Sequence, residues 1–102
     1  MTRVLLWSPS ALADLQEIWD FYAEQADVDV ADRMLDHIHS RTADLLEFPE
    51  LGAPVSELGM GRRRLVLAPH VVFYVLDGDA IQILRVLHGR QDRDRAFVQE
   101  QD

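Results

Sequence analysis

The chain has 102 residues, 48% of them hydrophobic, 27% charged and none of them cysteine. That is enough for one modest core, and it excludes disulfides and thiolate zinc sites. No apolar run approaches a membrane span and no charged-then-apolar leader opens the chain, so a soluble, cytoplasmic protein with no membrane partner is expected. The formal charge of −8 is unevenly placed, since residues 1–50 hold 11 acids against three Arg, whereas residues 51–102 hold seven of each. Residues 61–95 alone carry four acids and seven Arg, and all ten basic residues of the chain are Arg.

In chain order, residues 3–7 form a short apolar run that reads as a strand. Ser8-Pro9 then marks a helix start, a hydroxyl to cap an orphan N–H followed by a residue whose fixed φ suits the first turn. Beyond it Ala11, Leu12, Leu15, Ile18, Trp19 and Tyr22 fall within a roughly 120° stripe, with Asp14, Gln16, Glu17, Asp20 and Glu24 outside it. A second helix repeats the pattern with Ala31, Met34, Leu35, Ile38, Thr42, Leu45 and Leu46. Asp27 or Asp29 caps its start, and Phe48-Pro49 with Gly52 ends it. The two helices make one α-hairpin. A Pro- and Gly-punctuated loop follows over residues 49–61.

The remaining residues read as three antiparallel strands. Asp77-Gly78, between β-branched and aromatic runs, is a strong hairpin signal and is expected to form the two-residue loop. Leu76 then opposes Asp79, Tyr74 opposes Ile81, Phe73 opposes Gln82 and His70 opposes Arg85. Alternation puts Val71, Phe73, Val75, Leu84 and Val86 with Gln82 on one face. Val72, Tyr74, Leu76, Ile81, Ile83 and Leu87, with Arg85, lie on the other. Both faces want cover, and one α-hairpin covers only one. The expected fold is therefore α+β, a single domain over residues 1–102 in the order β-α-α-β-β-β, with a short tail after about residue 92.

Trp7-Ser8-Pro9, then Ala11-x-x-Asp14-Leu15-x-x-Ile18 and Tyr22, resemble the opening of the RelE/ParE toxin superfamily. Arg64-Leu65-Val66-Leu67, His70-Val71-Val72-Phe73-Tyr74 and Ile81-x-Ile83-Leu84-Arg85-Val86-Leu87-His88-Gly89-Arg90 are similar to its second half. The likeness is closer to the ParE branch of type II toxin–antitoxin systems. It implies a toxin that arrests growth by inhibiting DNA gyrase and is neutralised by a cognate, ParD-like antitoxin. Such a toxin is a protein inhibitor that works without catalysis or a cofactor. The sister branch supplies an alternative, a ribosome-dependent mRNA endoribonuclease with His88, Arg85 and Arg90 as its catalytic group. A relative that binds an antitoxin without being toxic is a third reading.

Guanidinium pairs bidentately with carboxylate or phosphate, so Arg62, Arg64, Arg85, His88 and Arg90 are the expected contacts to target or partner. Arg63 points opposite to its neighbours and is expected to bond to helix carboxylates. Leu12, Trp19, Tyr22, Tyr74 and Leu87 are the candidates for antitoxin binding. Direct nucleic-acid binding is not expected. His37 and His39 lie two apart on a helix and point in different directions, so no metal site is expected. Gly59-Met60-Gly61 lacks the Lys and the following helix of a phosphate loop.

Overall fold

A computed structural model describes residues 2–55 and 61–89. Its elements are β1 (Val4–Trp7), α1 (Pro9–Gln25), α2 (Val28–Ala43), a 3₁₀ turn (Asp44–Leu46), β2 (Ala53–Pro54), β3 (Arg62–Leu67), β4 (His70–Asp77) and β5 (Ala80–His88). The α+β order is the expected one, with the two-residue β2 added inside the loop before β3. The five strands lie in the order β1-β5-β4-β3-β2. β1 runs parallel to β5, with Val4 opposite Ala80 and Trp7 opposite Ile83. The remaining neighbours are antiparallel. The α-hairpin thus carries the chain from one edge strand over one face to the other.

The helix starts are built as their residues dictate. Ser8 Oγ accepts from the Ala11 N–H at 2.9 Å, and Asp27 Oδ1 accepts from the Val30 N–H at 2.9 Å. Each satisfies an N–H that has no partner within its own helix. On α1 the buried stripe is Ala11, Asp14 and Leu15, with Ile18 packed beside them. It is rotated from the expected one, because Asp14 lies inside it while Leu12 is 54% exposed.

The main core joins Ala11, Leu15, Ile38 and Leu45 to Leu65, Leu67, Val72, Tyr74, Ile81, Ile83 and Val86 on the helix side of the sheet. Full burial of an Ile or Leu side chain contributes about 1.5–3 kcal/mol, so Ile38, Leu45, Ile81 and Ile83 carry much of its stability. Val55, Val71, Phe73 and Leu87 form a second, smaller cluster. Since Val71 and Phe73 alternate with Val72 and Tyr74 along β4, this cluster lies on the far face. That face is therefore not left wholly uncovered, as one α-hairpin alone would leave it. Val4, Leu6 and Val66 remain 46%, 50% and 61% exposed.

The β4–β5 pairing differs from expectation in two ways. Asp77 opposes Ala80, so the loop residues are Gly78 and Asp79. Gly78 takes φ +61°, and no residue other than glycine has positive φ among those described. An Asp77-Gly78 type I′ loop needs positive φ at Asp as well, whereas a loop with Gly first needs it only at Gly. The second difference is a register shift between Phe73 and Tyr74: Tyr74 opposes Ile83 but Phe73 opposes Arg85. Leu84 is the extra residue of a β-bulge. Beyond it every side chain changes face, so Val86 enters the main core and Leu87 the far cluster, the reverse of the expected assignment.

Tyr74 is fully buried, and its hydroxyl fastens the loop before β2 by accepting from the Gly52 N–H and donating to the Pro49 carbonyl, both at 2.8 Å. A Cβ on Gly52 would lie 2.6 Å from the Arg64 carbonyl oxygen and 2.7 Å from the Tyr74 ring. Gly52→Ala is expected to destabilise the fold by about 1–3 kcal/mol through this overpacking. A Cβ on Gly78 meets nothing within 4 Å, so Gly78→Ala should carry only the left-handed backbone penalty of about 1–2 kcal/mol. Thermal melts of the two variants compare them directly, with the larger drop expected for Gly52→Ala.

Candidate functional site

β1 stops covering the edge of β5 at Ile83, and α1 takes over from there. The Ser8 N–H donates to the Ile83 carbonyl at 2.9 Å and Ser8 Oγ donates to the Leu84 carbonyl at 2.8 Å. Nearly two helical turns further on, Asp14 accepts from Arg85 Nε and Nη2, both at 2.8 Å, and from the Val86 N–H at 2.9 Å. Asp14 is 4% exposed and Arg85 9%. The hydrogen bond to Asp14 pushes the Arg85 guanidinium further up from its ordinary value, against the opposing effect of burial. Bidentate pairing of this kind holds both planes in one orientation. Asp14, expected among the solvated acids, is instead the anchor of α1. Arg85, expected to face a target or a phosphate, is committed to it, with its Nη1 buried and without a hydrogen-bond partner among the described residues.

A second polar group closes the far end of the sheet. His70 starts β4, is 3% exposed and opposes His88 at the end of β5. Their ring centroids are 6.0 Å apart and edge-on, and Tyr22 of α1 approaches the His70 ring at 6.1 Å. Burial, then the neighbouring His88 and His37, hold His70 below the ordinary imidazole value of 6.5. Its Nδ1 is buried with no hydrogen-bond partner among the described residues. His39 turns away and packs edge-on against Trp7 at 5.3 Å. Among the described residues no group of three or more His, Asp or Glu is placed to hold a metal ion.

The other named residues scatter. Arg62 and Arg64 share the far face with Val66, Val71 and Phe73, each half-buried. Arg63, on the helix side, donates to the Gly52 carbonyl at 2.7 Å and lies 3.9 Å from the Glu50 carboxylate. Its partner is a loop acid, not the helix carboxylate expected. Arg90 lies outside the described residues. Of the antitoxin candidates, Leu12 is exposed and Trp19 and Tyr22 are half-buried, with Trp19 Nε1 donating to Asp32 at 2.8 Å. Tyr74 and Leu87 are buried at 0% and 3% exposure. Tyr74 anchors a loop and Leu87 packs in the far cluster, so neither offers a contact surface. Phe21, 55% exposed on α1, was not singled out from sequence. Its apolar character beside Tyr22, outside the helix stripe, was the available signal.

The family model described as ParE toxin of type II toxin-antitoxin system, parDE, matches residues 5–93. The chain belongs to the ParE toxin family. Toxin ParE1 of Mycobacterium tuberculosis is 35% identical over 96 residues, covering 93% of this chain and 98% of that protein. Toxin ParE3 of Caulobacter vibrioides is 36% identical over 92 residues, covering 90% and 91%. Among solved structures, the chromosomal ParDE toxin–antitoxin system from P. aeruginosa superposes with a TM-score of 0.75 at 27% identity, covering 85% of this chain and 96% of that one. In this ParE-family chain the Trp7-to-Ile18 and Ile81-to-His88 motifs meet physically, because Asp14 and Arg85 are each other's partners.

His70 makes stability depend on pH. Its folded-state affinity for a proton is below that of the unfolded chain, so the unfolded state binds more protons as pH falls and stability falls with it. Stability should be full above about pH 6.5, the unperturbed value, and decline as pH drops through the lowered folded value. His70→Gln should flatten that part of a urea-denaturation profile measured between neutral and mildly acidic pH.

Proposed function

We propose that this chain is the toxin of a ParD–ParE-type pair that arrests growth by binding DNA gyrase, with no chemistry of its own, and that a cognate antitoxin neutralises it. The observation that carries the choice over the ribonuclease alternative is the Asp14–Arg85 pair. Cleavage through a 2′-hydroxyl needs cations around the phosphate and a positioned acid and base. Arg85 is spent on Asp14 in two 2.8 Å bonds, and His88 stands beside another histidine. Withdrawing Arg85 to meet a phosphate would strand a buried carboxylate, at a cost of several kcal/mol.

Antitoxin binding is supported by apolar surface at two places. Leu12 and Phe21 flank the buried stripe of α1, and β1 is an edge strand with Val4 and Leu6 exposed. An amphipathic helix against the α-hairpin and an extended segment along β1 are the two docking modes these surfaces suit. Each adds stability by binding only the folded state.

Expression of the chain alone, then with the neighbouring antitoxin gene, tests the assignment. Growth arrest with intact messenger RNA and a DNA-damage response is expected, relieved by the antitoxin. His88→Gln should leave arrest largely in place, since one rim contact is worth on the order of 1 kcal/mol. Messenger cleavage that vanishes in His88→Gln, by a factor of roughly 10² to 10⁴, would establish the ribonuclease instead. A harmless chain that still binds the antitoxin would establish the non-toxic relative. Replacing Arg62 and Arg64 by Ala should lower toxicity more than replacing Glu17 and Glu24 on the solvated face of α1. Equal losses, at unchanged melting temperature, would remove any functional meaning from the charge asymmetry.

A further inference from the structure

We infer that Asp14 is a positioning residue for the end of β5: through Arg85 and the Val86 N–H it holds the bulge at Leu84 and so decides which face carries Leu87 and His88. Its consequence for toxicity rests on the toxin reading above.

The hydrophobic pattern by itself does not select this register. Continuing the Tyr74–Ile83 pairing without a bulge would set Phe73 against Leu84, Val72 against Arg85, Val71 against Val86 and His70 against Leu87. Val86 and Leu87 would exchange faces, and since both are large and apolar neither face would lose its cover. A strand whose neighbouring residues are alike on both sides is weakly specified by burial. The polar atoms break the tie. In the unbroken ladder Arg85 would oppose Val72, a fully buried member of the helix-side core, and a guanidinium there needs a carboxylate. With the bulge, Arg85 instead opposes Phe73 and reaches Asp14 in two 2.8 Å bonds.

The Val86 N–H lies past the end of the β1 ladder, where no strand among the described residues receives it. Asp14 Oδ2 accepts it at 2.9 Å. With Ser8 bonded to the Ile83 and Leu84 carbonyls, α1 takes over from β1 as the neighbour of β5 and writes its own register onto it. The result keeps His88 opposite His70 on the helix side. Asp14 therefore bears on the far face, to which an unbroken register would move Val86 and His88 beside Arg62 and Arg64, while touching none of its residues.

The test uses isotopically labelled full-length chain from cell-free synthesis, with growth arrest measured in parallel. In the wild type, a scalar coupling across the hydrogen bond from the Val86 amide nitrogen to the Asp14 carboxyl carbon is expected, together with a Phe73–Arg85 cross-strand Overhauser contact. Absence of both overturns the proposal without any variant. Asp14→Asn is expected to shift the contact to Phe73–Leu84, speed Val86 amide exchange by at least about tenfold and abolish most of the arrest. Arg85→Lys, which leaves Asp14 on the Val86 amide with a cation beside it, should retain both register and arrest. Ile38→Val, which weakens the core away from the network, should retain them too and so separates register from stability. An Asp14→Asn chain that keeps the Phe73–Arg85 contact overturns the positioning role; one that loses it yet arrests growth fully overturns the link to toxicity. A wild type that arrests nothing removes the toxin reading and leaves the register result standing.

Discussion

A single buried carboxylate ties the two halves of this chain together. Asp14 comes from the first turns of α1, and Arg85 and Val86 come from the last strand, more than seventy residues away in sequence. Three bonds on one carboxylate make up for its removal from water, a removal that a single ion pair offsets poorly. The same bonds replace β1 as the neighbour of β5 and hold the bulge. From the bulge follow the faces taken by Val86 and Leu87 and the approach of His88 to His70. The packing of the α-hairpin on the sheet is thus a matter of polar geometry as well as apolar area.

That commitment bears on chemistry. An arginine in a motif beside a histidine suggests a phosphate site when read along the strand. In three dimensions the guanidinium points back into the fold, and His88 stands opposite a second imidazole whose proton affinity burial has lowered. A constellation that shares its cation with the core cannot easily stabilise charge developing elsewhere. The surfaces left to this ParE-family protein are of another kind: apolar flanks on α1, an edge strand, and a far sheet face where Arg62 and Arg64 stand beside Val66. These suit recognition of another macromolecule.

The charge distribution follows the same logic. Ten of the eleven acids in residues 1–50 are exposed, on the helices and the loop after them. Asp14 is the exception and carries a structural role. The arginines of β3 and β5 divide by side: Arg63 holds the loop at Gly52, Arg85 holds α1, and Arg62 and Arg64 lie on the far face. Arginine suits all three uses because its planar fork binds carbonyls and carboxylates directionally.

Much of the architecture was legible in the residues. The helix starts at Ser8 and Asp27, the amphipathic stripe through Ala11, Leu15 and Ile18, and the β-branched runs of β3, β4 and β5 depend on local rules that act within a few residues. The family likeness was legible too, because it rests on ordered motifs. What stayed hidden was nonlocal. The hairpin loop shifted because only glycine accepts positive φ there, a choice set by the pairing of whole strands. The bulge and the reversal of Val86 and Leu87 could not be read from alternation, since one inserted residue inverts every face beyond it. Asp14 looked solvated on a helical wheel, and Arg85 looked available along a strand. Sequence determined which residues could form each element; the tertiary structure decided which polar groups met, because a buried charge is settled only by the partner that the fold brings to it.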